Sequence, residues 1–169
     1  DIGGESTRPG AQAVGVESEL KRVVPVIAAI RKKRPEAVIS VDTSKALVAE
    51  AAIDAGATVV NDVTACGDPN MASLVAARGV DVCLMHMRGQ PRTMQADTAY
   101  ADVVGEVEAF LMAAVIRVVA SGVLRDRILL DPGLGFGKAW EDNPRLIRAV
   151  PRFSALGHRV LIGASRKRF

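Results

Sequence analysis

The stretch ILLDPGLGFGK runs from Ile128 to Lys138. Ile128, Leu129 and Leu130 form a short apolar run with turn chemistry directly behind it, as in a strand buried on both faces. Asp131 stands where the run ends, and Pro132 biases it away from the α region. Gly133, Gly135 and Gly137 let the backbone bend and approach a ligand closely. Phe136 is the one large flat side chain among them. The stretch therefore presents a carboxylate fixed at a strand end beside a flexible aromatic loop. Alone, Asp-Pro-Gly is only a turn; here similar strand ends recur along the chain.

Upstream, Asp1-Ile2 reads as the end of a strand, followed by a loop with Glu5, Ser6, Thr7, Arg8 and Pro9-Gly10. Arg8 in such a loop is either mere surface or aimed at an anion. Val16, Leu20, Val23, Val24, Ile27 and Ile30 keep helical spacing up to Arg34, with a kink or break expected at Pro25. The basic run Arg31–Arg34 reads as a solvated helix C-terminus, since no aromatics are interleaved. Strands are expected at Ala37–Val41, ending in Asp42, at Ala57–Val60, ending in Asn61-Asp62, and at Val80–Met85, ending in His86. Thr43 or Ser44 is expected to cap the helix after the first of these. Gly56 stops that helix, and a short one through Met71–Ala77 follows. A polar loop over Met87–Thr98 precedes a long helix from Asp102 to about Ala120. Beyond Lys138 come a helix around Asn143–Phe153 and a strand at Val160–Ile162, then Gly163-Ala164-Ser165-Arg166-Lys167.

This alternation, with short continuous apolar strands and no hairpin signal, predicts a parallel sheet covered by helices. No strand is followed by GxGxxG, and no GxxxxGK[ST] occurs; GLGFGK has the wrong spacing for a phosphate loop. Polar residues collect at strand C-terminal ends, so the expected fold is a (β/α)₈ TIM barrel, with a doubly wound open sheet as the alternative. A whole barrel takes roughly 250 residues. The 169 residues are therefore expected to form a single partial domain, 1–169, from the end of strand 2 through the region of strand 7. Both ends look cut, and a longer protein is expected.

Apolar residues make up 49% and charged residues 24%, the balance of an ordinary globular domain, and aromatics only 4%, so the core is aliphatic and alanine-rich. No apolar run approaches the roughly 20 residues of a membrane span, and no secretory signal opens the chain. Cys66 and Cys83 lie far apart without a CxxC, which reads as two reduced thiols in a cytoplasmic protein. The net charge of +3 is too mild for a nucleic-acid partner but suits small anionic substrates.

In a barrel, Asp1, Asp42, Asn61, His86, Asp131 and Lys167 meet in one mouth. They have neither Ser-His-Asp order nor metal-ligand spacing. Asp131 and Asn61 can read a flat heterocycle with adjacent N–H and acceptor groups, such as an aminopyrimidinone edge. Lys167 supplies positive charge opposite. Ser165, at an expected helix N-terminus, favours a carboxylate, and Phe136 stacks on or walls off an aromatic ring. His86 is either functional or a hydrogen-bonded structural residue. His158 is expected to face solvent, and Trp140 to be a surface or packing residue.

Together these motifs resemble the dihydropteroate synthase family of folate biosynthesis. The matches are DIGGESTRPGA (Asp1–Ala11), VDTSK (Val41–Lys45), NDV (Asn61–Val63), LMHM (Leu84–Met87), LDPGLGFGK (Leu130–Lys138) and GASRKRF (Gly163–Phe169), in the family's order. The resemblance implies a transferase in which para-aminobenzoate attacks 6-hydroxymethyl-7,8-dihydropterin diphosphate, releasing pyrophosphate and 7,8-dihydropteroate. It implies Mg²⁺, a homodimer and sulfonamide binding. By motif it assigns Asp42, Asn61, Met85, Asp131, Gly163 and Lys167 to the pterin pocket, with Asp42 and Lys167 catalytic. Thr7, Arg8 and Pro9 match the mobile loop that closes on the second substrate; Phe136, Ser165 and Lys167 match the para-aminobenzoate site.

Two parts of the family pattern are not in this sequence. The Asn that meets the metal would precede Asp1, and the Arg and His that hold the diphosphate would follow Phe169. The 169-residue chain alone is accordingly expected to be inactive. Two rivals remain: a pterin-binding methyl-transfer module, which needs no STRPG loop or SRK segment, and a catalytically silent paralogue.

Overall fold

Six strands pair in the order in which they occur in the chain, every neighbouring pair parallel. They are β1 (Ile2–Gly3), β2 (Ser40–Asp42), β3 (Val59–Asp62), β4 (Asp81–Met85), β5 (Ile128–Asp131) and β6 (Arg159–Val160). Between them run α1 (Val16–Lys33), α2 (Ala46–Asp54), α3 (Met71–Arg78), α4 (Val103–Ala120), α5 (Asp142–Arg148) and α6 (Val150–Ser154). This computed structural model describes residues 1–165 and 167. A doubly wound sheet must reverse its strand order at a switch point. Here the order never reverses, so the sheet is wound one way only, as the arc of a (β/α) barrel.

Strand alternation divides the side chains between two faces. Val41, Val60, Val82, Leu84, Ile128 and Leu130 take one face and pack with the helices into the main core. That core includes Val23 and Ile27 of α1, Val48 and Ala52 of α2, Val75 of α3, Leu111 and Val115 of α4, Leu146 of α5 and Phe153 of α6. The small side chains Ala46, Ala49 and Ala52, at helical spacing, are buried in α2.

Several local expectations need correction. α1 is an unbroken helix through Pro25. Pro25 and Lys21, whose carbonyl loses its N–H partner, are both exposed residues. The helix N-terminus after β2 is capped neither by Thr43 nor by Ser44: the Ala46 N–H donates to the Asp68 carboxylate at 3.0 Å. The segment around Asn143–Phe153 is two helices, parting at Ala149 just before Pro151, which has no N–H to continue the first. His158 is buried, its Nδ1 3.1 Å from the Arg125 carbonyl. The last strand pairs at Arg159–Val160 rather than over Val160–Ile162. No helix starts at Ser165 among the described residues; Arg166, Arg168 and Phe169 lie outside them.

Candidate active site

The register aligns Gly3 with Asp42, Asp42 with Asn61 and Asn61 with Cys83, while Met85 aligns with Asp131. By alternation Asp42, Asn61, Cys83, Met85 and Asp131 share the face opposite the helices. Their ionisation fits that placement: the Cys83 thiol is pushed up by burial and by the carboxylates of Asp131, Asp62 and Asp42. Asp42 is pushed up to about 6, first by burial and then by Asp62, Glu19 and Glu5. Asp131 also rises to about 6 through burial, against the opposing pull of the Gly133 N–H, Lys138 and Lys167. Asp131 accepts that N–H at 2.7 Å. The Asn61 amide donates to Asp1 at 3.1 Å.

The loop after β5 needs its first glycine. Gly133 has φ +68°, and a Cβ there would lie 1.9 Å from the His86 carbonyl oxygen. The close approach seats the loop on the end of β4, where the His86 N–H donates to the Asp131 carbonyl at 2.9 Å. Lys138 then turns back under the loop. Its ammonium donates to the carbonyls of Phe136 (2.8 Å), Gly133 (2.9 Å) and His86 (3.3 Å). Burial lowers it to about 7, despite Asp131. Asn143 accepts the Gly135 N–H at 2.6 Å, and Tyr100 donates to the Gly137 carbonyl at 2.8 Å. So braced, the loop presents Phe136 with the Lys167 ammonium 3.9 Å above its ring centroid. Burial lowers Lys167, partly countered by Asp131.

Thr7, Arg8, Pro9, Phe136, Ser165 and Lys167 all line one cavity of about 820 Å³, together with Met94, Gln95, Lys138, Trp140 and Asn143. A second cavity, about 260 Å³, holds Asp42 and is bounded by Thr43, Lys45, Thr64 and Met87. Thr7 lines both, so the loop after β1 stands between them. Neither lining includes Asn61, Met85, Asp131 or Gly163. Met85 and Asp131 are buried, Asn61 is half-buried, and Gly163 is exposed beyond β6.

Sequence reasoning gave no role to Lys138, Glu19, Lys45 or Asp62. Asp62 lies on the helix-facing side of β3, in register with Leu84. Its carboxylate accepts the Thr64 N–H (2.8 Å), the Thr64 hydroxyl (2.7 Å) and the Cys66 N–H (3.0 Å). It thereby holds a turn in which Ala65 and Cys66 adopt positive φ. The signal for Lys138 was a lone cation closing a glycine loop; that for Glu19 was a carboxylate within an apolar helical stripe. His86, read either as functional or as a hydrogen-bonded structural residue, is buried and edge-on to Phe110 at 4.8 Å and held low at about 3 by burial and by Lys138, but its Nδ1 has no hydrogen-bond partner among the described residues, so the hydrogen-bonded reading is not met. Trp140 is 62% exposed, at the cavity rim. Among the described residues no three His, Cys, Asp or Glu gather to hold a metal ion.

The family model described as pterin binding enzyme matches residues 1–169. This chain belongs to the pterin-binding enzyme family. Within that family, a dihydropteroate synthase of Synechocystis is 45% identical over 170 residues, covering 100% of this chain and 58% of the relative. A Xanthomonas albilineans dihydropteroate synthase solved with 4-aminobenzoic acid superposes with TM-score 0.92 at 47% identity, covering 99% of this chain and 59% of that one. The Yersinia pestis dihydropteroate synthase, solved in a sulfonamide drug complex, gives 0.92 at 41% identity, covering 96% and 59%. The chain thus spans about three fifths of the length of these pterin-binding relatives, and its sheet is a partial TIM barrel.

Proposed function

We propose that the protein is a dihydropteroate synthase, condensing 6-hydroxymethyl-7,8-dihydropterin diphosphate with para-aminobenzoate. The observation that carries this reading is the single cavity formed by Thr7–Pro9, Phe136, Ser165 and Lys167, beside a buried carboxylate at Asp131. A methyl-transfer module of the same family has no use for a site that takes an aromatic acid. The named relatives, one of them solved with 4-aminobenzoic acid, support the same choice.

In this reading Asp131 accepts the paired N–H donors of the pterin edge, with Asn61 and Lys167 reading the remaining ring atoms. Met85 and Gly163 wall the pterin. Phe136 packs against the para-aminobenzoate ring, while Ser165 and the loop at Thr7–Pro9 meet its carboxylate and cover it. The carbon–oxygen bond to the diphosphate breaks, and a cation-like methylene conjugated to the ring forms. Asp42, ionised above pH 6, favours that charge. The neutral amine attacks the methylene, forming the carbon–nitrogen bond, and its surplus proton leaves with the pyrophosphate. A closed loop excludes water, the competing nucleophile. Neither a covalent enzyme intermediate nor a strong general base is needed.

Mg²⁺ and a homodimer are proposed on the family resemblance. A sulfonamide, shaped like para-aminobenzoate, would occupy the same cavity. No helix of the described residues is long and apolar enough to cross a membrane.

The test is para-aminobenzoate incorporation by the full-length protein with the pterin diphosphate and Mg²⁺, compared with Asp131→Ala. Turnover that falls by about a hundredfold or more in the variant is the expected result, since charge-assisted bonds to a buried carboxylate are lost. No product from a folded wild type that binds pterin tightly overturns the reading, in favour of the methyl-transfer module or the silent paralogue.

A further inference from the structure

Glu5 and Val14 stand at the two ends of the loop that carries Thr7, Arg8 and Pro9. The Glu5 carboxylate accepts the Val14 N–H at 2.9 Å, across nine residues. The same oxygen accepts from the Lys45 ammonium at 2.6 Å. Lys45 also donates to Glu19 at 2.5 Å, and Glu19 is fully buried in α1. The remaining Glu19 oxygen accepts the hydroxyl of buried Thr43 at 2.6 Å. A further bond, from Arg22 to the Gly4 carbonyl at 2.7 Å, fixes the chain just before Glu5. Beyond this neck the loop has few ties: a turn bond from the Ala11 N–H to the Arg8 carbonyl and a long one from the Arg8 N–H to the Ser6 hydroxyl. Arg8, Pro9 and Gly10 are exposed.

We propose that Glu5 and Lys45 are positioning residues for the second substrate, clamping the neck of the Ser6–Ala13 loop onto buried Glu19 so that Thr7 and Arg8 are held at the cavity. Both line the smaller cavity with Asp42, and the role proposed for each is exerted through the loop. The geometry divides the loop into a fixed neck and a free tip, so the tip moves about a set origin. The charges agree with the clamp. Burial alone would depress Lys45, yet its bonds to Glu19 and Glu5 hold it above the ordinary lysine range. Burial would raise Glu5, yet Lys45 and the Val14 N–H hold it below the ordinary carboxylate range. The clamp is therefore fully charged across neutral pH. The proposal rests on the synthase reading, which gives the loop its substrate.

Glu5→Ala opens the neck while leaving the Lys45–Glu19 pair and its buried carboxylate intact. In the full-length protein the expected result is a KM for para-aminobenzoate raised about tenfold, the free-energy equivalent of one charge-assisted hydrogen bond. At pH 8, where Asp42 is ionised with or without Glu5 beside it, kcat at saturating para-aminobenzoate and the Kd for the pterin should stay within about twofold, a split that general damage would not produce. Glu5→Gln keeps an oxygen for the Val14 N–H and is expected to recover most of the affinity. Hydrogen exchange at the Val14 amide should quicken in Glu5→Ala, a readout independent of turnover. An unchanged KM with faster Val14 exchange, or equal losses of pterin and para-aminobenzoate affinity, overturns the clamp while the synthase reading stands. A wild type that performs no condensation overturns the synthase reading itself.

Discussion

The ammonium of Lys138 lies 2.9 Å from the carbonyl oxygen of Gly133, in its own loop. A buried cation, rather than a second strand or a helix, thus satisfies the carbonyls that the glycines leave open. The arrangement has a signature in pH. Lys138 falls from 10.5 to about 7 on folding, so between those values the unfolded chain binds the extra proton. Stability should therefore rise with pH through this window, by up to about 1.4 kcal/mol per unit from this group. Urea denaturation at pH 7.5 and pH 9 should show the rise in the wild type and lose it in Lys138→Met. Equal slopes in the two proteins would disprove the assignment.

Gly133→Ala should be among the most damaging single changes. Its Cβ would meet the His86 carbonyl oxygen at 1.9 Å, a backbone atom held in the sheet, at a φ that alanine disfavours. A loss of about 4 kcal/mol or more is expected. The variant should be insoluble or melt far below the wild type; a Tm within a few degrees of wild type would mean that β4 and the loop part easily.

Pterin affinity should fall as pH drops through about 6. Asp131 is raised to about 6, chiefly by burial, and in the proposed pterin contact only its ionised form would accept both N–H donors. Below that pH the Kd should rise about tenfold per unit for one proton taken up. Calorimetric titration at pH 5, 6 and 7.5 would show it, and Asp131→Asn should bind weakly with no such dependence. A Kd flat from pH 7.5 to 5 in the wild type would remove Asp131 from pterin recognition.

Lys45→Met should destabilise the fold itself. It leaves Glu19, fully buried, without its cation. Lys45 is a quarter exposed, so the loss should fall short of the roughly 3–5 kcal/mol that follows when a wholly buried ion pair is broken. Converting the pair with the double change Lys45→Met, Glu19→Leu should restore most of that loss. A double variant no more stable than the single one would show that Lys45 acts by packing alone.

The strands and their order were legible because their apolar runs are continuous and their ends polar; Ile128–Asp131 stands where the apolar run and its terminal Asp place it. Strand bounds were less legible. Ala37 turns back on the helix end, its N–H donating to the Arg34 carbonyl at 3.1 Å, and β2 begins only at Ser40. Pairing depends on where the neighbour strand begins, which no local pattern states. Thr7–Pro9, Phe136, Ser165 and Lys167 could be named because each lies at a strand end or in a glycine loop; Met94, Gln95 and Asn143, which line the same cavity, carry no such mark. Glu19 and Lys45 could not be named either. They lie 26 residues apart, on a helix stripe and at a helix start, and only the fold brings one against the other. His158 was misread for the same reason: its partner is the carbonyl of Arg125, 33 residues earlier.

The alternation along the strands fixes where natural variation in length can be accepted. Val41 packs toward the helices and Asp42 toward the interior; the same holds for Leu130 and Asp131. Deleting one residue from β2 or β5 would exchange the two roles at once, putting a carboxylate into the aliphatic layer and a valine or leucine on the face of Asn61 and Cys83. Insertions and deletions among homologues should therefore gather in the segments beyond the strand ends, where the Ser6–Ala13 loop can lengthen without shifting the register of a single pair.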